Sequence, residues 1–420
     1  SGVLVSSLVL FAGNAIAAPY ETGGGRATGT DAIAIGERAK ATGILSIALG
    51  ADSVAQEKHA VALGQGAQAL GDDGVAVGTR AKAVANYSTA LGNQSTAEKE
   101  FDLAAGYQAK ASGGQSTAVG FNSKSTGNAS NAIGGSSVAA GNFSTAVGQE
   151  ARAEAGYALA VGYNTIASGG QSTAVGFAAK STGNASNAIG GASLAAGEYS
   201  TAVGQQAHAA AGFTLAAGYQ ANASGGASMA VGYESKSTGT ASNAIGWKAN
   251  ATAQNATAIG SGATADGDNA TAVGGLAKAN QDYSNALGYE ATAEAERSTA
   301  IGMNALVKGV GAKDSMAIGN GTEVTGAYGV ALGQEAKVTD SHSSAVGYKA
   351  EANSSGSVAI GTFAKTFGVN SAALGNSAKA SGIEGLALGN AAEASGRASN
   401  AMGYNAKATA QNATAIGSNA

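Results

Sequence analysis

The stretch Asp31-Ala32-Ile33-Ala34-Ile35-Gly36 decides the fold, because its last three residues return at a fixed interval along the chain. Glycine recurs every 14 residues from Gly36 to Gly302, then after one step of 17 at Gly319, and every 14 again to Gly417. All 28 of these glycines have alanine two residues earlier, and 26 have Ile, Leu, Val or Met immediately before them. The two exceptions are Ala105 and Ala217. Representative copies are Ala34-Ile35-Gly36, Ala90-Leu91-Gly92, Ala118-Val119-Gly120 and Ala359-Ile360-Gly361. Repetition at a fixed short period is the mark of a solenoid, in which each unit packs on its neighbours.

Taking each registered glycine as position zero, alanine at −2 and the aliphatic residue at −1 fall on opposite faces of a strand. Alanine commonly follows at +3 and +5, as in Ala39/Ala41 and Ala81/Ala83, with Lys40 or Lys82 between them. That pattern predicts a second short strand with one small apolar face and one wet face. Glycine at +7 (Gly43, Gly71, Gly113, Gly127) predicts a turn that needs relaxed dihedral limits. Two strands of about four to five residues and two tight turns fill a coil and leave no room for a crossover helix. Stacked coils about 4.8 Å apart make two parallel sheets and a rod of about 130 Å. One outward strip of the first strand is then left apolar or very small over the rod's length, which calls for association of identical rods. The register leaves open which face is core and which is seam.

Composition supports a repeat structure over a set of ordinary globular domains. There are 66 glycines and one proline, with 5% aromatic and 12% charged residues. Collagen requires far more proline and glycine at every third position. The net charge of −4 and the absence of a basic block give no sign of nucleic-acid binding. No cysteine is present, and His59, His208 and His342 lie too far apart in sequence for a dense metal cluster. There is no Gly-x-Ser-x-Gly elbow, phosphate loop or zinc-binding His-Glu signature, so neither enzymatic activity nor a cofactor is expected.

Residues 1–18 depart from the repeat. Val3, Leu4, Val5, Leu8, Val9, Leu10 and Phe11 form an apolar run before the small-x-small site Ala15-Ile16-Ala17. Two readings stand: a secretory signal segment, or an ordered strand or plug used in assembly. Residues 19–30 form a glycine-rich lead-in, and 31–420 a continuous β-roll whose three-residue insertion falls near 303–316, in a bulging turn. A 56-residue period overlies the short one: Ser112–Gly120 returns as Ser168–Gly176 and more weakly as Ser224–Gly232. This points to duplication of four-coil blocks.

Aromatic residues also keep register. Tyr107, Phe121, Tyr163, Phe177, Tyr219, Tyr233, Trp247, Tyr289, Tyr348 and Tyr404 occupy +1. Tyr87, Phe101, Phe143, Tyr157, Tyr199, Phe213, Tyr283 and Tyr328 occupy −5, with His59 and His342. The +1 rings form a candidate binding column for glycan, matrix protein or a surface, while stacking over coil corners explains any single ring more economically. Asp72-Asp73 and Asp266-x-Asp268 lack a calcium frame and read as solvated turn residues.

Segments such as Ser88-Thr89-Ala90-Leu91-Gly92-Asn93 and Ser357-Val358-Ala359-Ile360-Gly361 resemble the head repeats of trimeric autotransporter adhesins of the YadA type. The resemblance covers residues 30–420. It implies an all-β, single-stranded left-handed parallel β-roll solenoid, three identical chains per head, display outside a Gram-negative cell or secretion, and attachment to host matrix, cells or surfaces. The residues that carry over are the structural triads. Those adhesins continue into a neck, a coiled-coil stalk and a membrane barrel, whereas this sequence shows no heptads and stops at Ser418-Asn419-Ala420. A fragment is one expectation; the other is an unanchored subunit that polymerises end to end into an extracellular filament or sheath.

Overall fold

The computed structural model describes residues 18–420. The apolar segment Val3–Phe11 lies outside them. The chain divides into two compact units, Ser1–Ala192 and Ser193–Ala420, and over the described residues each is an all-β parallel solenoid of repeating coils. The coil closed by Gly92 is typical. A triad strand, Thr89–Leu91, is followed by a return strand, Thr96–Ala97. Thr89–Leu91 pairs in parallel with Val75–Val77 and Leu103–Ala105, placing Ala90 opposite Ala76 and Ala104. Thr96 stands opposite Lys82 and Lys110 in the second ladder. The glycine-rich lead-in joins the same ladders, because Tyr20–Thr22 pairs with Ile33–Ile35 and Arg26–Ala27 with Lys40–Ala41.

The strands are three and two residues long, shorter than the four to five expected. The corners take the difference. Each is a four-residue turn closed by a backbone bond, Ser88 N–H to the Ala85 carbonyl and Ser95 N–H to the Gly92 carbonyl, both 3.3 Å. The third residue of each turn is left-handed: Tyr87 has φ 57° and Gln94 φ 58°. Such a conformation costs a non-glycine residue about 1–2 kcal/mol. Here the turns are themselves laddered, with Tyr87 N–H on the Asp72 carbonyl (2.8 Å) and Gln94 N–H on the Thr79 carbonyl (2.9 Å). Hydrogen bonding therefore continues around the corners and holds the strained residues in place.

The registered glycines answer a different demand. Gly92 has φ 127°, and a Cβ there would lie 2.6 Å from the Gly106 carbonyl oxygen of the next coil. Its missing side chain thus points along the stack and not into the core beside alanine. The +7 glycines need a revised explanation too. Gly43 has no positive φ, but a Cβ on it would sit 1.9 Å from the Glu57 carbonyl oxygen. Close approach between turns, not dihedral freedom, selects glycine there.

Alanine at −2 faces inward: Ala34, Ala90, Ala118 and Ala359 are all fully buried. Together with −4, +3 and +5 it builds a core of alanine and serine, whose side chains suit a thin coil. The residue at −1 points outward, which resolves core from outer face. Serine hydroxyls bridge the core at block spacing, Ser125–Ser130, Ser181–Ser186 and Ser237–Ser242, each 2.6 Å. Larger side chains are matched locally. Val307, Val324 and Val338 are buried at successive +5 positions. Gly329 occupies −4 between two of them, where a Cβ would lie 2.8 Å from Val324 and 2.9 Å from Val338.

Among the described residues, Asp102 is the buried carboxylate of this core. Its oxygens accept the backbone N–H groups of Lys99 (2.9 Å), Gly114 (3.0 Å) and Ser116 (2.9 Å) and the Ser116 hydroxyl (2.7 Å). Four donors compensate a charge that would otherwise be expensive to bury. The 17-residue step is taken up between Leu306–Val307 and Met316–Ile318. That connection is braced by Arg297, which donates to both Asp314 oxygens at 2.6 and 2.9 Å, and by Glu294, which accepts from Gly309 N–H at 2.9 Å.

Candidate functional surface

Chemistry has to come from the outward columns, because the core is small and filled. On the triad strand, the −1 residues form an aliphatic stripe in each unit. Ile35, Leu91, Ile133 and Ile189 are exposed in the first unit, Ile133 by 42%. Val203, Ile259, Leu332, Ile360 and Leu388 are exposed in the second, Leu388 by 44%. Parallel pairing stacks them directly, for example Val119 on Ile133 and Ile133 on Val147. Isolated apolar side chains on a surface are ordinary, but a contiguous strip of branched ones is not.

Rings flank this stripe at both ends of the triad strand. Tyr107 stacks on Phe121 (5.5 Å between centroids), Tyr163 on Phe177 (5.6 Å), and Tyr219 on Tyr233 (5.2 Å), which is followed by Trp247 (6.3 Å). At the −5 corner Tyr87 stacks on Phe101 (5.1 Å), Phe143 on Tyr157 (5.1 Å) and Tyr199 on Phe213 (5.2 Å). All remain exposed. Tyr289 and Tyr404 stand exposed at +1, and Tyr348 meets Phe363 edge-on at 5.3 Å. Hydrogen bonds to Glu234 and Glu290 push the Tyr233 and Tyr289 phenols up. The two −1 exceptions now have a setting: Ala105 lies between Phe101 and Tyr107 in sequence, and Ala217 between Phe213 and Tyr219.

The acidic turn residues are used in backbone bonding. Asp72 accepts from Lys58 N–H (3.2 Å), Asn86 from Asp72 N–H (3.0 Å) and Asp268 from Gln254 N–H (3.1 Å). Among the described residues no group of three or more His, Cys, Asp or Glu side chains is placed to hold a metal ion.

Reading charges along the chain misses one column. The +4 residues, on the outward face of the return strand, carry Lys or Arg at Arg26, Lys40, Lys82, Lys110, Lys124, Arg152 and Lys180 in the first unit. Counting charge by register position instead of by sequence window finds it.

These features define a parallel β-solenoid of 14-residue coils whose outer columns, not an interior pocket, are available for contacts. The profile of the YadA head domain repeat matches overlapping windows from 27 to 123 and then successive windows from 125–151 to 394–420. The chain belongs to that family, which makes it a scaffold and contact module and not an enzyme. Among solved structures it is similar to the collagen-binding domain of the Yersinia adhesin YadA, at 22% identity over 50% of this chain and 68% of that one. The TM-score of 0.14 gives that overlay no weight. The comparison with curated proteins returned no match.

Proposed function

We propose that the chain is the adhesive head of a bacterial surface or secreted protein, wound left-handed and assembled as a homotrimer. Family membership supports the adhesive class. The observation that carries the assembly is the exposed −1 stripe, including Ile133, Ile189, Leu332 and Leu388. A single chain leaves these branched side chains in water, and a closed ring of identical copies covers them with one repeated contact. Three copies is the number the family resemblance implies.

Matrix protein is the first ligand to test, since attachment to host matrix is what the family resemblance implies. Beads coated with the full chain should adhere to immobilised collagen, another matrix protein or cultured cells above albumin-coated beads. No adhesion to any of these would count against the adhesive reading.

A further inference from the structure

We propose that the return-strand face of the first unit is a docking surface for a linear sulfated polysaccharide. The inference names a ligand class for the adhesive reading and does not require the trimer. Its basis is a segregation of charge that the net value hides. Residues 1–192 hold 11 cations and 12 acids. The +4 column and the +2 and +6 columns beside it collect nine of those cations and only four of the acids. The remainder of the unit is correspondingly acidic.

The column is built in register. Arg26 pairs opposite Lys40 and Lys110 opposite Lys124, placing like charges on neighbouring rungs about 4.8 Å apart. Cross-strand like charges destabilise a sheet, yet no carboxylate occupies any of the twelve +4 positions in this unit. Lys110 and Arg152 are partnered, by Glu98 at 2.8 Å and Glu154 at 2.7 Å. Arg26, Lys40, Lys82, Lys124 and Lys180 are exposed and, among the described residues, form no salt bridge. Two shallow hollows lie on the column, one lined by Arg26, Lys40 and the Arg38–Asp52 pair (2.6 and 2.8 Å), the other by Arg80, Lys82, Thr96 and Glu98. The surface is therefore a file of cations interrupted at Val54, Gln68, Thr96, Val138 and Ile166, with Asp52, Glu98, Glu150 and Glu154 as its acidic neighbours.

That geometry selects among polyanions. A single-stranded nucleic acid takes much of its affinity from bases stacked on aromatic side chains, and the +2, +4 and +6 columns of this unit contain no aromatic residue. A polysaccharide with regularly spaced sulfates needs only a line of fixed positive charge.

The test is binding of the full chain to immobilised heparin at about physiological ionic strength. Two five-site variants are compared: Lys40, Lys82, Lys124, Arg152 and Lys180 to Gln, and Lys58, Lys99, Lys248, Lys313 and Lys349 to Gln. They change net charge equally. The column variant should weaken binding by roughly tenfold or more, and the other by less than about twofold. Circular dichroism verifies that both are folded. Equal losses would reduce the effect to overall charge, and no binding by the parent chain would end the proposal. Equal or tighter binding of single-stranded DNA through the same lysines would overturn the assignment to polysaccharide. A mass measurement on the same samples separates this outcome from the trimer's: a monomer that still binds heparin through the column retains this inference and loses the assembly.

Discussion

Gly148 shows how one residue is constrained from two directions. Its φ is 129°, and an added Cβ would lie 2.3 Å from the Gly162 carbonyl oxygen. Gly148→Ala is expected to cost about 3 kcal/mol, combining a forbidden dihedral with a backbone clash. Hydrogen exchange should show the loss concentrated in the adjoining coils, since a solenoid unit is stabilised by its neighbours. Asp102→Ala leaves the Lys99, Gly114 and Ser116 N–H groups without their carboxylate acceptor and is expected to cost about 2–4 kcal/mol, read from the same protected amides. Asp102→Ser, which restores the residue found at many −4 positions, should cost less. The Val324–Gly329 contact makes a third case. Val324→Ala should destabilise by about 2 kcal/mol through a cavity. Adding Gly329→Ala should recover part of that loss, so a double-mutant thermal cycle should reveal coupling between the two sites. Additive losses would contradict the packing account.

At the scale of the coil, the repeat was readable because every inward alanine and every axial glycine is fixed by one steric demand repeated along the chain. Strand lengths were not readable. They depend on left-handed turn residues such as Tyr87 and Gln94, which local propensity disfavours and the turn ladder stabilises. The −1 orientation was also ambiguous, because small residues on one face and branched ones on the other permit either to be the core. The lysine column was readable only as a wet position marked by Lys40 and Lys82, because its members stand 14 or more residues apart and no sequence window is basic. The long connection 308–315 offers a test by pH. The Arg297 hydrogen bonds hold the Asp314 carboxyl below the ordinary range. A depressed folded-state value contributes stability that is present above the unfolded value of about 4 and lost as pH falls through the folded one. Thermal melts should show Arg297→Gln less stable than the parent at neutral pH, with the difference shrinking at acid pH. A difference that grows on acidification would contradict the pairing.

For the whole molecule, the two outer faces of a coil have different prospects. The aliphatic stripe lies outside the triad strand and the +4 cations outside the return strand, with the alanine core between them in each unit. Association through the stripe leaves the basic face in water, where several identical columns would bind a long polyanion with avidity. The stripe is the more demanding feature, since contiguous branched apolar surface is disfavoured in a soluble single chain. Its burial between copies is the central claim, and sedimentation equilibrium of the purified full chain tests it most directly. The parent should sediment with the mass of three chains. Lysine substitutions at Ile133, Val147 and Val161 should yield a folded single chain. A parent that remains a stable monomer across the concentration range, or a variant that still forms trimers, would contradict the account.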